Sequence, residues 1–333
     1  MPNVIEIQIR TKQLLEMQPS PAAALRLRRD VLQIDPHSRQ LESGSLQARH
    51  LIDEQREDGS WGAFHSRDTS SQQRIATTEI AVERAICLGF EGNHPILERA
   101  REYILSMMHG KVSFPDRHEK NDRWPTGMRM FLASTLAMID PFHEILDEDR
   151  SLWCEIARRS FQSGAYSQKD EILAHASLTG ASVKDSYLTI NNRYALNILG
   201  SGEDMLPVAV EESLLAWLWR NDRGIGYLDV PLGSVPSLSK PGRLDRWFRS
   251  LELLTSLFPR CAHRLAPWID WIWSQQEHDG FWDFGPRSPS SVFLPFADDW
   301  RSRERRRMDW STRVLLLAAG HERANAISSQ RKD

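Results

Sequence analysis

Apolar residues recur at helical spacing along almost the whole chain, and no segment alternates apolar and polar residues as a strand does. Ile80, Val82, Ala85 and Ile86 lie in one such run, which Thr77 or Thr78 is placed to cap and Gly89 to end, so a helix is expected over Thr77–Gly89. The same reasoning gives helices over Trp124–Met138, with Pro125 in its first turn, Asp185–Leu199, Asp245–Phe258 and Asp309–Ala319. A second series comes between them, over Ser45–Glu54, Ile96–Met107, Glu148–Phe161, Val208–Trp219 and Ala266–Gln275. An extra helix over about Ala22–Leu32 completes the set. The first series is apolar almost all round, as an inner shell would be, and the second carries more charge, as an outer shell would.

The two series are joined by a repeated phrase. Gln55 to Trp61 and Gln276 to Trp282 both read Q-x-x-D-G-x-W, and each continues to an aromatic residue, Phe64 or Phe284. Weaker copies surround Gly110, Gly164 and Gly224, so glycines recur at 59, 110, 164, 224 and 280. The period is near 55 residues, room for two helices and two connections. Asp and Gly suit the turn itself, one by capping and one by taking positive φ. Five to six helical hairpins at constant spacing stack as an open solenoid or close into a ring. No shift in composition breaks the chain, which is therefore expected to form one domain over 1–333 with an ordered core over about 20–320.

Composition narrows the function classes. Lys plus Arg is 42 against 45 Asp plus Glu, a formal charge of −3, which argues against bulk binding of nucleic acid. No run of ~18 apolar residues is present to span a membrane, and Met1–Leu15 lacks the pattern of a secretory signal. Cys87, Cys154 and Cys261 are odd in number and far apart, which suits a reducing cytoplasm. Arginine outnumbers lysine 35 to 7, and nine of 12 tryptophans lie from Trp217 onward.

The Q-x-x-D-G-x-W phrase followed by an apolar helix ending in Leu-Gly resembles the QW repeat of the terpenoid cyclase and protein prenyltransferase superfamily. Gln55–Gly62, Thr77–Gly89 and Gln276–Phe284 carry the likeness, and the helical period extends it over nearly the whole chain. The chain looks similar to small bacterial proteins called squalene-cyclase-like. The resemblance implies an all-α fold, an (α/α)6-type toroid with a central cavity, and chemistry on an isoprenoid. It does not extend to the superfamily's reactive motifs. The Asp-x-Asp-Asp acid motif is missing: Asp147-Glu148-Asp149-Arg150 lacks the final Asp, and the aligned positions hold Arg74, Ile75, Ala76 and Thr77. No cysteine follows an Asp two positions back as in the prenyltransferase zinc site, and Cys261 with His263 are too few ligands, so no metal site is assigned. The cyclases usually pair this toroid with a second helical barrel, for which this chain has no room.

The densest chemistry lies between Asp298 and Asp309. Asp298 and Asp299 are adjacent carboxyls able to split their pKa values and act as acid or base. Asp309 follows at the expected start of the last helix, where the helix dipole favours the carboxylate. Trp300 and Trp310 would wall the site, while the five arginines of 301–307, Arg303 and Arg305 among them, would hold an anion bidentately. The competing reading of this segment is a surface loop of mutually paired charges. Glu79, Asp185 and Asp245 occupy equivalent helix starts and are expected to share one rim. His65 and Asp68 precede Glu79, and His65 is suited to proton transfer near neutral pH. Tyr227 and Asp229 follow a glycine turn; Trp124 and Trp247 add aromatic surface; Asn191 and Asn192 are expected inside an apolar helix, as a polar cavity wall or an interhelical bond.

The combined expectation is a terpene-cyclase-like enzyme that cyclises or isomerises an isoprenoid or related polyene, with Asp298, Asp299, Asp309, Glu79 and His65 as catalytic candidates. Trp300, Arg303, Arg305, Trp310, Tyr227, Trp124, Trp247 and Asn192 are the substrate-binding candidates. A carbohydrate-active or other lyase or hydrolase on the same toroid is the alternative, and a non-catalytic module binding lipid or protein is the third. The expected partner is a hydrophobic or amphipathic small molecule, with no nucleic acid and no transmembrane segment; peripheral membrane contact and oligomeric state stay open. No cofactor is required, and Mg2+ enters only with a diphosphate substrate.

Overall fold

A computed structural model of the chain describes residues 2–34, 44–66, 73–117, 121–183, 187–202, 205–237, 241–286 and 295–330. Among them the fold is all-α, with thirteen α-helices and no strand. They are α1 (Val4–Glu16), α2 (Pro21–Arg26), α3 (Leu46–Glu54), α4 (Thr78–Leu88), α5 (Pro95–Met108), α6 (Trp124–Ile139), α7 (Asp147–Ser160), α8 (Gln168–Thr179), α9 (Arg193–Ser201), α10 (Val208–Arg220), α11 (Pro241–Leu257), α12 (Ala266–Ser274) and α13 (Arg303–Gln330). No helix among the described residues is long and apolar enough to cross a membrane.

The chain divides into two compact units. The first comprises Met1–Arg49, Cys87–Gly89 and Leu232–Asp333; the second comprises His50–Ile86 and Phe90–Pro231. In the first, α13 packs against α1, α11, α12 and the 3-10 segment Pro259–Leu265, around the fully buried Trp247, Phe248, Trp282 and Trp310. In the second, α6 packs on α5 and α9, and α7 on α8, α9 and α10, around Trp61, Trp153 and Phe64.

Each unit holds one Q-x-x-D-G-x-W turn, and the two turns are built alike. Arg56 N–H donates to Ser60 O at 2.9 Å, and Glu277 N–H to Phe281 O at 2.7 Å. The Asp58 and Asp279 carboxylates accept from the N–H two residues on, at 2.9 and 3.3 Å. Each tryptophan indole donates to a carbonyl ten residues back, Trp61 to Leu51 and Trp282 to Ile272, both at 2.9 Å. Each tryptophan N–H donates to a hydroxyl of the following helix, Thr78 or Ser311, at 3.0 Å. Gln55 ties its turn to the next hairpin by donating to Gly59 O and Ile96 O. All five repeat glycines have positive φ. At Gly59 a Cβ would also stand 2.3 Å from Arg99 O, so no other residue fits.

Three expected helices change their starts, and the one placed over Asp245–Phe258 begins at Pro241, so Asp245 is not in its first turn. The one placed over Asp185–Leu199 begins at Arg193 (Asp185, like Asp68, lies outside the described residues). Asn192 is its N-cap: its Oδ1 accepts the Ala195 N–H at 2.8 Å, and its Nδ2 donates to Tyr187 O and Thr189 O. Asn191 and Asn192 are therefore not inside a helix; a side chain that satisfies the first turn starts the helix where it stands. The helix placed over Asp309–Ala319 begins at Arg303 and runs to Gln330. Arg303 and Arg305 thus sit in its first turns rather than in a loop, and Asp309 is no longer at its N-terminus.

Two helices had no counterpart in the apolar pattern. The buried positions of α1 are Ile7, Thr11 and Leu14, while Val4, Ile5 and Ile9 are exposed. The buried positions of α8 are Glu171, Ala174 and His175, while Leu173 and Leu178 are exposed. Apolar patterning fails when the buried side chains are polar. The caps are the legible signal: Asn3 accepts the Glu6 N–H, and Ser167 the Asp170 N–H.

Candidate active site

The site lies in the second unit, where the chain after the first repeat turn meets the start of α4. Thr78 N–H donates to Ala63 O at 2.8 Å and Glu79 N–H to Phe64 O at 3.2 Å, so Phe64–His65 is fastened to α4. On its other side Asp116 accepts three successive N–H groups, from Phe64 (2.6 Å), His65 (2.8 Å) and Ser66 (2.5 Å). With its backbone clamped twice, the His65 imidazole stacks on Phe131 at 3.8 Å and sets Nδ1 3.0 Å from Glu79 Oε2.

Glu79 is buried and its second oxygen accepts the Tyr194 hydroxyl at 2.9 Å. The same hydroxyl oxygen lies 3.2 Å from His65 Nδ1. His65 Nδ1, the Glu79 carboxyl and the Tyr194 hydroxyl thus form one hydrogen-bonded cluster, in which the hydroxyl donates to Glu79. Arg193 closes the network with Nη1 3.2 Å from Glu83 Oε2, Nη2 4.0 Å from Glu79 Oε1, and its guanidinium 5.0 Å from the Tyr194 ring. Burial works to lower the Arg193 pKa, but the Glu83 and Glu79 carboxylates outweigh it and hold the group charged. Burial raises the Tyr194 hydroxyl well above its ordinary range, with Arg193 opposing and Glu79 adding to the rise, so the hydroxyl keeps its proton.

A groove of about 820 Å³ opens beside this network, lined by Tyr166, Tyr187, Trp217 and Tyr227 together with Asn191, Asn192, Arg220, Arg223 and Asp229. Tyr227 meets the His65 ring edge-on at 5.8 Å and the Tyr194 ring at 4.9 Å. Tyr187 stacks at 5.9 Å on Phe131, the ring beneath His65. The imidazole and the groove thus share one aromatic neighbour, Tyr227, and Tyr187 reaches the imidazole only through Phe131.

Of the residues singled out from the sequence, His65, Glu79, Tyr227 and Asn192 come together here, although Asn192 has its amide engaged as a cap. Tyr194, Arg193, Glu83 and Asp116 complete the constellation without having been singled out as reactive. Trp124 is buried in the same unit, edge-on to Phe114 at 5.7 Å, and does not line the groove.

The 298–310 segment belongs to the first unit, and four of its five arginines are paired with carboxylates. Asp298 accepts from the Leu46 and Gln47 N–H groups and so caps α3. Asp299 pairs with Arg305 at 2.7 Å, Arg303 with Glu277 at 2.5 Å, Arg306 with Asp283 at 2.7 Å and Arg307 with Asp279 at 2.6 Å. The arginine run therefore braces the second repeat turn. Asp298 and Asp299 do not converge on a common acid site or cation, because each is directed to a different partner. Among the described residues no group of three or more His, Cys, Asp or Glu is arranged to hold a metal.

Asp309 is buried, and burial pushes its carboxyl up to about 6, against hydrogen bonds from Trp300 Nε1 (2.7 Å) and the Ala297 and Phe296 N–H groups. The helix-terminal effect expected to keep it ionised does not act, since α13 starts at Arg303. Trp310 is buried against Trp300, Phe248 and Phe284 and donates to Gly285 O at 3.0 Å. Trp247 is buried between Trp268 and Trp271. Asp245, the other expected rim carboxylate, is buried 2.6 Å from Arg313, which also binds Glu252 at 2.8 Å.

No family model, curated protein or solved structure matches this chain.

Proposed function

We propose that the chain is an α/α-hairpin protein of the QW-toroid type and that it works as a terpene-cyclase-like enzyme on an isoprenoid or related polyene. The alike construction of the two Q-x-x-D-G-x-W turns supports the architecture. The observation that carries the chemistry is the position of His65: its Nδ1 is held by Glu79 and Tyr194, and its ring is surrounded by Phe131, Tyr194 and Tyr227. Aromatic faces attract a cation, and a base among them is placed to end a carbocation sequence. In that step Nε2 takes a proton from the carbon beside the cationic centre. The C–H electron pair becomes the new double bond, and Glu79 stabilises the imidazolium that forms, as the carboxylate of a hydrolase triad does. The catalytic assignment thus rests on His65 and Glu79 rather than on Asp298 or Asp299.

The test is incubation of the full chain with farnesyl diphosphate, geranylgeranyl diphosphate and squalene, with and without Mg2+, followed by product analysis by gas chromatography and mass spectrometry. A cyclised or isomerised product made by the wild type and lost in His65→Asn is the expected result. Absence of product from all three substrates would count against the reading.

A second reading has its own observation. The groove is open, polar and apolar groups share its wall, and Tyr166 stacks on Trp217 at 3.9 Å. Such a surface suits a sugar ring, and release of reducing ends from an oligosaccharide panel would favour it.

A further inference from the structure

The groove beside His65 carries two arginines that take part in no ion pair among the described residues. Arg220, the last residue of α10, and Arg223, in the turn after it, both line the groove. Among the described residues neither has a carboxylate within 4.0 Å, unlike Arg303, Arg305, Arg306 and Arg307. The one side-chain hydrogen bond of Arg220 runs from Nε to Ala216 O at 3.1 Å, and the Arg223 side chain makes none. Asp222 lies between them in sequence and Asp229 lines the same groove, but neither is paired with either guanidinium.

The loop that presents this wall is a held structure. Arg223 N–H donates to Asn221 Oδ1 at 3.0 Å, Asn191 Nδ2 to Gly224 O at 3.0 Å, and Gly226 N–H to Asn191 O at 2.9 Å. A Cβ at Gly224 would fall 1.8 Å from Val230 O, so the loop closes on itself around glycine. Tyr227 and Asp229 are held at φ of 72° and 52°, a conformation unfavourable for a non-glycine residue and concentrated at ligand sites. Next to the arginines, the Tyr166 ring is stacked on Trp217 and fixed by its hydroxyl, which donates to the buried Glu171 at 2.5 Å.

We propose that Arg220 and Arg223 form an anion subsite, which takes the carboxylate or phosphate of an amphipathic ligand whose apolar body lies on Trp217 and Tyr166. Two guanidinium forks offer paired donors to either group. This names the substrate class of the groove and rests on the groove being the substrate site.

Calorimetric titration of the full chain with octyl phosphate, octanoate and octanol, each below its aggregation limit, tests it. The anions should bind at least about tenfold more tightly than octanol, and the R220Q/R223Q double variant should lose that preference while binding octanol as before. The tighter of octyl phosphate and octanoate identifies the head group. Equal affinity for octanol and the anions, unchanged anion binding in the double variant, or no binding of any of the three would overturn the proposal. Circular dichroism of the variant checks its fold, and Arg220→Lys, which keeps a charge but not the fork, should fall between the two. H65N should bind octyl phosphate like the wild type. Arginine-dependent binding without conversion of any polyprenyl substrate would therefore remove the catalytic reading and leave the subsite.

Discussion

His65 Nδ1 lies 3.0 Å from Glu79 Oε2, and the Tyr194 hydroxyl holds the other oxygen of the same carboxylate at 2.9 Å. The imidazole is therefore held at Nδ1 by two groups from different helices, α4 and α9. Tyr194→Phe removes one hydrogen bond to a buried carboxylate and leaves the ring packing intact. It should destabilise the protein by about 1–3 kcal/mol, measured by denaturant unfolding. A change below about 0.5 kcal/mol would mean that the hydroxyl does not support Glu79.

Arg313 lies between Asp245 and Glu252, with its guanidinium 4.9 Å from both the Phe248 and Trp310 rings. Arg313→Ala leaves the buried Asp245 without its cation, while Glu252 keeps Arg249 at 3.6 Å, and should cost about 3–5 kcal/mol. Arg305→Ala breaks an ion pair with Asp299 in which the arginine side chain is 55% exposed, and should change stability by less than about 1 kcal/mol. Thermal unfolding of the two variants side by side checks the contrast; similar losses would contradict the view that the 303–307 arginines are surface braces.

These two arginines also show how far the sequence was legible. The glycine turns, the period and most helices could be read because they depend on local rules: glycine at positive φ, side-chain caps and apolar spacing. The pairing of charges could not be read. Five arginines in seven residues looked like an anion site, yet the carboxylates that match them come partly from the second repeat turn, about 25 residues earlier. Apolar spacing alone puts Arg193 and Tyr194 in a helix interior; the Asn192 cap instead places them in the first turn, where Tyr194 meets Glu79. The α8 helix was invisible to apolar patterning because Glu171 and His175 occupy its buried face.

Asp309 supplies a pH dependence whose sign follows from its burial. Its carboxyl is raised to about 6 in the fold from an ordinary value of 3.8. A group raised in this way favours the folded state below its unfolded pKa, and that contribution is lost as pH rises through the folded one. Between about pH 4 and pH 7 the wild type should therefore lose about 2 kcal/mol relative to D309N. Urea unfolding of both proteins across this range is the check, and parallel pH profiles would contradict the assignment.

The central claim is that His65 transfers the proton and Glu79 orients and stabilises it. Its most direct measurement is the turnover of wild type, H65N and E79Q on whichever polyprenyl substrate is converted, at saturating substrate, with the fold of each variant verified by circular dichroism. Both variants should keep substrate affinity while kcat falls by about 10²–10⁴ in H65N and by a smaller factor in E79Q. An H65N variant that turns over at the wild-type rate would contradict it.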